Sequence, residues 1–296
     1  MLAALYRTPT VLMTLTAAMW AMNAIFGQLV VGEITPFAVV FLRWVMVASI
    51  MWTLYGREAR ACWPALRGRL GFLALASIAG FTGFNTLFYI ASAHTTGINI
   101  GILQGAMPVA VLIGAFLAYG DRVGPMQMLG VVLTLVGVVL VASGGDIQRL
   151  TALSFNEGDL IMLAATVLYS GYAVALRKRP DMPGTALFTL LALVAAISAL
   201  PLAAWEAIQP GYPWPTAKGI GLTLMIAIFP SCIAQLFFLR GVDLIGPGRA
   251  GVYINLVPIF ASILAILILG EVFAPYHGAA LALVIGGIWL AQRQRA

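Results

Sequence analysis

The chain has 296 residues, 62% of them hydrophobic and 9% charged, with a mean hydropathy of +1.01 and a formal net charge of +6. Soluble domains carry about a quarter charged residues, so a water-soluble enzyme or binding module is excluded and the chain reads as a polytopic membrane protein. The basic residues sit in short clusters between apolar runs, which marks loop orientation and gives no nucleic-acid footprint.

In chain order, ten apolar runs are candidate spans, at about 9–31, 36–55, 70–92, 97–118, 125–143, 158–176, 184–204, 218–239, 247–269 and 275–292. The first lacks a small-residue cleavage site and is too long for a signal peptide, so it is expected to be retained. The loops are short and leave no room for a soluble catalytic module. With both termini in the cytoplasm, Arg7, Arg57, Arg60, Arg67, Arg69, Arg122, Arg177, Lys178, Arg179, Arg240, Arg293 and Arg295 lie inside, and only Arg149 and Lys218 lie outside. Cys62 and Cys232 form neither a disulfide framework nor a metal-binding spacing, and no metal or cofactor is expected.

The fourth and ninth runs are copies of one another. Gly101, Pro108, Ile113, Ala115, Leu117, Gly120 and Pro125 recur 150 positions later as Gly251, Pro258, Ile263, Ala265, Leu267, Gly270 and Pro275, with Asp121 answered by Glu271. The repeat extends to Asn85 and Gln235, Phe88 and Phe238, and Gly137 and Gly287. With a slip of one it pairs Trp20 and Asn23 with Tyr169 and Tyr172. The chain is therefore expected to be two five-helix halves, 1–148 and 149–296. An odd number of spans per half inverts the second half in the membrane, the usual skeleton of a secondary transporter.

Pro108 and Pro258 fall near mid-depth of their runs, where each removes a backbone hydrogen bond and is expected to kink the helix. Gly97, Gly101 and Gly105 form a small-residue stripe that admits close approach by a helix or a ligand.

Acidic residues inside the runs are confined to their ends, at Glu33, Asp159 and Glu271, so a mid-depth carboxylate relay for protons is not expected. There is no GxxxxGK[ST] loop, HExxH or GxSxG, and Ser170 and Ser231 have no histidine nearby in sequence, which speaks against an enzyme. The runs carry instead uncharged polar and aromatic residues: Trp20, Asn23, Tyr89, Gln104, Tyr169, Tyr172, Tyr253 and Asn255. Trp20 with Asn23, Asn85 with Tyr89, and Tyr169 with Tyr172 each share a helix face. Turned inward, they suit a small-molecule substrate with an apolar body and a few polar atoms; as a bland alternative, Asn and Gln join helices and Trp and Tyr anchor at interfaces. Asn85 and Gln235 lie nearer the two membrane faces and are assigned gate or vestibule roles. Arg43 lies about 10 Å below the outer edge of its run and is either a functional charge or, the favoured reading, a structural residue that snorkels toward the interface. His94 and His277 have no metal-ligand company.

WAMNAIF at 20–26 and FLRWVMVA at 41–48, with the ends Tyr119, Gly120, Asp121 and Leu269, Gly270, Glu271, resemble the WGxNF, FxRxxxA and LGE stretches of the EamA-type, ten-span drug/metabolite transporters. The first of these carries Ala in place of Gly, and the third has Asp in its first copy. The resemblance covers nearly the whole chain. Likeness to the YddG-type members implies export of aromatic and other bulky neutral amino acids across a bacterial inner membrane. Multidrug or other metabolite efflux is the alternative, with an intramembrane enzyme or a scaffold further behind. Sugar-phosphate carriage would need basic residues at mid-depth, and none is expected there. No feature of the sequence fixes an oligomeric state or a coupling ion.

Overall fold

A computed structural model describes residues 7–121, 123–146, 148 and 156–292. Among these residues there are helices and turns and no strand. Eight helical stretches are long and apolar enough to cross a membrane, and Pro275–Ala291 is a shorter apolar helix.

Helix α1 (Pro9–Leu29) starts on a proline, where the missing N–H costs nothing. A turn with Gly32 at φ 79° leads into α2 (Pro36–Leu66). The helical path then continues through a 3₁₀ turn (Arg67–Arg69), α3 (Leu70–Ser77), a π-helical segment (Ile78–Gly83) and α4 (Phe84–Ser92). This 57-residue stretch would be about 85 Å long if straight, nearly three times the hydrocarbon thickness. It doubles back instead: α4 lies against α2, and both α2 and α3 pack on α9 (Gly184–Ala207). The second and third expected spans are thus joined by helix and not by a loop, because the intervening GREARACWPAL is rich in Ala, Arg, Leu and Glu.

The fourth expected span is two helices, α5 (Gly97–Gly105) and α6 (Met107–Tyr119), broken at Ala106. Helices α7 (Pro125–Ala142) and α8 (Glu157–Ala175) precede α9. The eighth is α10 (Ala217–Ile226), a π segment (Ala227–Ile233) and α11 (Ala234–Ile245). The ninth is α12 (Pro247–Tyr253), a 3₁₀ turn (Ile254–Leu256), α13 (Val257–Leu264) and a π segment (Ala265–Leu269); α14 (Pro275–Gln292) closes the described chain.

Local geometry recurs at the spacing of the sequence repeat. Pro108 and Pro258 are each the second residue of a restarting helix, and the residue before each restart has almost the same conformation, φ −76°, ψ −10° at Ala106 and φ −77°, ψ −19° at Leu256. Gly120 and Gly270 end their helices in the left-handed region, both at φ 68°, which glycine adopts without a Cβ clash. The π segments Ile78–Gly83 and Ala227–Ile233 also correspond. The copies differ past the proline breaks: Met107–Tyr119 stays α-helical, whereas its counterpart ends in the π segment Ala265–Leu269.

The glycine stripe of α5 admits a helix. A Cβ on Gly101 would lie 2.4 Å from that of Ala261, and one on Gly105 3.3 Å from Pro258, both on α13. α7 and α14 approach closer still, since a Cβ on Gly130 would meet the Gly287 carbonyl oxygen at 2.4 Å. With lipid as solvent, such backbone-to-backbone packing supplies dispersion contacts that a larger side chain would prevent.

Candidate functional site

The polar centre of the molecule is built around Arg43, on the second turn of α2. Its side chain does not snorkel: the residue is 6% exposed and its guanidinium turns inward, which corrects the expectation from sequence. Nε donates to Ser231 Oγ at 2.9 Å, and Nη1 to Asn85 Oδ1 at 2.6 Å, Tyr89 OH at 2.9 Å and Asn23 Oδ1 at 3.3 Å. Tyr89 OH donates in turn to Asn23 Oδ1 at 3.2 Å. The expectation of an interior without a basic group is corrected with it, because the cage of four neutral oxygens replaces the water that a snorkelling arginine would seek.

Helix geometry places each member. Asn85 and Tyr89 share a face of α4, and Asn85 Nδ2 donates to Phe81 O at 2.6 Å in the π segment below it. Ser231 lies in the other π segment and donates to Ile226 O, five residues back, at 2.7 Å. One π segment therefore presents Ser231 to the guanidinium and the other supports Asn85 through the Phe81 carbonyl, a use to which such bulges are often put.

An aromatic layer adjoins the cage. Tyr169 and Tyr172 of α8 have ring centroids 5.4 Å apart, with Tyr169 5.0 Å from Phe84 and Tyr172 5.2 Å from Phe81. Phe81 packs edge-on against Trp44 at 4.8 Å. Gly80 is required here, since a Cβ would come within 2.4 Å of the Tyr172 ring. Trp20 lies 5.2 Å from Phe238, pairing α1 with α11.

The sequence model of the EamA-like transporter family matches this chain twice, over residues 8–143 and 156–292. The chain belongs to that family. This EamA-like protein is accordingly a membrane transporter and a multi-pass integral membrane protein. It is 27% identical to "Uncharacterized transporter YetK" of Bacillus subtilis over 90% of this chain and 82% of that one. It is 26% identical to "Uncharacterized transporter YyaM" of the same organism, over 79% and 77%. An uncharacterized transporter of Archaeoglobus fulgidus is 26% identical over 88% and 89%. A crystal structure of 18% identity superimposes with a TM-score of 0.65 over 97% of this chain and 99% of its own, which shows a shared fold.

The remaining sequence candidates of the transporter are dispersed. Gln104 is half-buried beside the α5–α6 break, and its Nε2 has no hydrogen-bond partner among the described residues. Asn255 is half-buried in the 3₁₀ turn before Pro258. Tyr253 lies away from the Arg43 cage, its hydroxyl 3.4 Å from Thr10 Oγ1 at the start of α1. Gln235 is half-buried on α11, whereas Asn85 belongs to the cage itself. Sequence reasoning missed Ser231 as an arginine partner and assigned Arg43 no neighbours. The pairing of an isolated intramembrane cation with the polar faces of other spans was the clue available.

A second polar cluster clamps the α4–α5 turn. Asp159, fully buried, accepts from Thr95 Oγ1 and from Asn99 Nδ2 at 3.1 Å, and Glu271 accepts from the backbone N–H of Gly97 at 2.7 Å and of Ile98 at 3.0 Å. Gln28 Nε2 donates to Thr95 O at 2.6 Å. Glu271 thus caps the positive end of α5. Near the opposite end of α6, Asp121 pairs with Arg177 at 2.8 Å, with side chains 35% and 57% exposed.

Proposed function

We propose that this transporter is a secondary carrier that exports neutral amino acids, aromatic or bulky apolar ones preferred, across a bacterial inner membrane by alternating access. The observation that carries the reading is the meeting of uncharged polar groups from the first half (Asn23, Asn85, Tyr89) with Ser231 of the second, next to the aromatic layer of Phe81, Phe84, Tyr169 and Tyr172. Polar atoms few in number beside aromatic walls match an amino acid with a large apolar side chain. In this reading ten spans form two inverted halves, 1–148 and 149–296, with both termini cytoplasmic. Support comes from the local geometry repeated at Ala106 and Leu256, at Gly120 and Gly270, and at the two π segments, and from the twofold family match.

Substrate exchange in this reading needs no imposed proton gradient, since no carboxylate faces the Arg43 cage among the described residues. The test is counterflow of a labelled amino-acid panel in proteoliposomes, with and without a pH difference. Uptake of labelled phenylalanine, tryptophan or leucine at equal pH is expected. A panel that moves only polar or anionic solutes, or only under a gradient, would overturn the reading.

A further inference from the structure

We infer that Arg43 is an anchor for a substrate carboxylate, so that the transported molecule supplies the counter-charge the protein withholds. The inference rests on the proposed transport of amino acids and names the group on them that is recognised.

Arg43 is 6% exposed, yet all four hydrogen-bond partners of its guanidinium are neutral oxygens. A buried cation with no counter-ion is costly even when fully hydrogen-bonded, and proteins neutralise such a charge with a nearby carboxylate. Here the carboxylates closest to the membrane are occupied elsewhere. Glu33 holds Lys218, Glu58 accepts from Thr185, Asp121 pairs with Arg177, Asp159 takes Thr95 and Asn99, Glu206 takes Thr35, and Glu271 caps α5. The cage is also incomplete on one side, since Nη2 has no hydrogen bond among the described residues while Nε and Nη1 carry four.

Geometry gives the carboxylate a place and a route. The Nη1–Nη2 edge of a guanidinium matches the two oxygens of a carboxylate. Nη1 holds three acceptors with two hydrogens, and the longest contact, to Asn23 at 3.3 Å, is the one a carboxylate would displace. The freed Asn23 Oδ1 could then accept from an ammonium group. Tyr89, which touches Nη1, also lines a cavity of about 310 Å³ with Val30–Thr35, Val39, Pro213 and Trp214 at the outer ends of the helices. Tyr89 is thus shared between the guanidinium and a vestibule large enough for an amino acid.

Matched acid and amide probes test this on the purified full-length transporter by ligand-dependent thermal stabilisation: phenylalanine against phenylalaninamide, 3-phenylpropionate against its amide, and benzoate against benzamide. In the parent each acid should stabilise at a concentration about tenfold or more below its amide, the ratio expected of a charge-assisted bidentate contact. Arg43→Gln should erase the difference. Because Arg43→Gln removes the hub of the cage and some preparations of it would not fold, Asn85→Asp is the second variant. It places a carboxylate on Nη1 within the protein and should abolish the acid preference; because it also gives up the Asn85 amide's bond to Phe81 O, its ligand shifts are read against its own unliganded melting temperature. Acids and amides acting alike in the parent, no response to any pair, or an acid preference that survives Asn85→Asp would each overturn the anchor. The two readings separate: acid preference without amino-acid counterflow leaves the anchor and removes amino-acid export. Amino-acid counterflow without acid preference does the reverse.

Discussion

An arginine inside a membrane helix has two ways to avoid hydrocarbon, by reaching the interface or by carrying polar groups to itself. From the sequence, the length of the side chain and its depth of about 10 Å favour the first. The structure takes the second, because partners 20, 42, 46 and 188 residues away converge on it. Composition and spacing on a single helix hold no trace of those distances in sequence. At the end that the proposed topology places outside, a smaller polar tie is open to a pH test. Glu33 accepts from Lys218 Nζ at 2.8 Å and from Thr216 Oγ1 at 2.6 Å, and these hydrogen bonds hold its carboxyl below the ordinary value. A lowered folded-state value means that the tie is complete above the unfolded carboxylate range and is lost as pH falls through the lower folded value. Hydrogen exchange at residues 30–35 and 212–219, corrected for intrinsic rates, should rise over that window, and Glu33→Gln should show the raised exchange already at pH 7. Identical protection in parent and variant at pH 7 would rule the tie out.

At the scale of elements, the breaks before Pro108 and Pro258 were legible in the sequence because proline removes a known donor at a known place. The π segments were not. Ile78–Gly83 contains no proline, its counterpart contains Pro230, and each is met by tertiary partners, Ser77 on Leu191 O and Thr82 on Ala195 O at the first and Arg43 on Ser231 at the second. The glycine stripes were legible as close-approach sites, but which partner fills them depends on the fold. That partner makes a sharp prediction for α14, where Gly286 and Gly287 are neighbours in sequence with opposite surroundings. A Cβ at Gly287 would lie 2.6 Å from the Gly130 carbonyl oxygen, whereas nothing lies within 4 Å of one at Gly286. Gly287→Leu should therefore destabilise the purified transporter by about 1–3 kcal/mol or force the helices apart, while Gly286→Leu stays near the parent. Melting curves in detergent decide this, and equal losses at both positions would contradict the packing of α7 on α14.

For the whole molecule, the two clusters at the ends of the broken helices are unequal, and that inequality predicts which side opens first when one is cut. The α4–α5 turn is held from three elements at once, by Gln28 of α1, by the fully buried Asp159 of α8 and by Glu271 beyond α13. Asp121, the repeat counterpart of Glu271, makes only a surface ion pair with Arg177, and exposed pairs contribute little in water. Glu271→Gln and Asp159→Asn weaken the buried clamp by removing the charge that receives the α5 N–H groups and the Asn99 amide, so the face that the proposed topology places outside should open more often in both variants. Cys232 reports this without an added probe: it is 4% exposed, follows Ser231 of the cage directly, and is, with Cys62, one of two cysteines in the chain. In a Cys62→Ala background, a membrane-impermeant thiol reagent applied from outside should label Cys232 slowly in the parent and several-fold faster in Glu271→Gln and Asp159→Asn, with Asp121→Asn leaving the outside rate unchanged. The same rate in all four proteins would mean that the clamp does not gate access to the Arg43 cage. Faster outside labelling in Asp121→Asn alone would place the controlling contact at the opposite face.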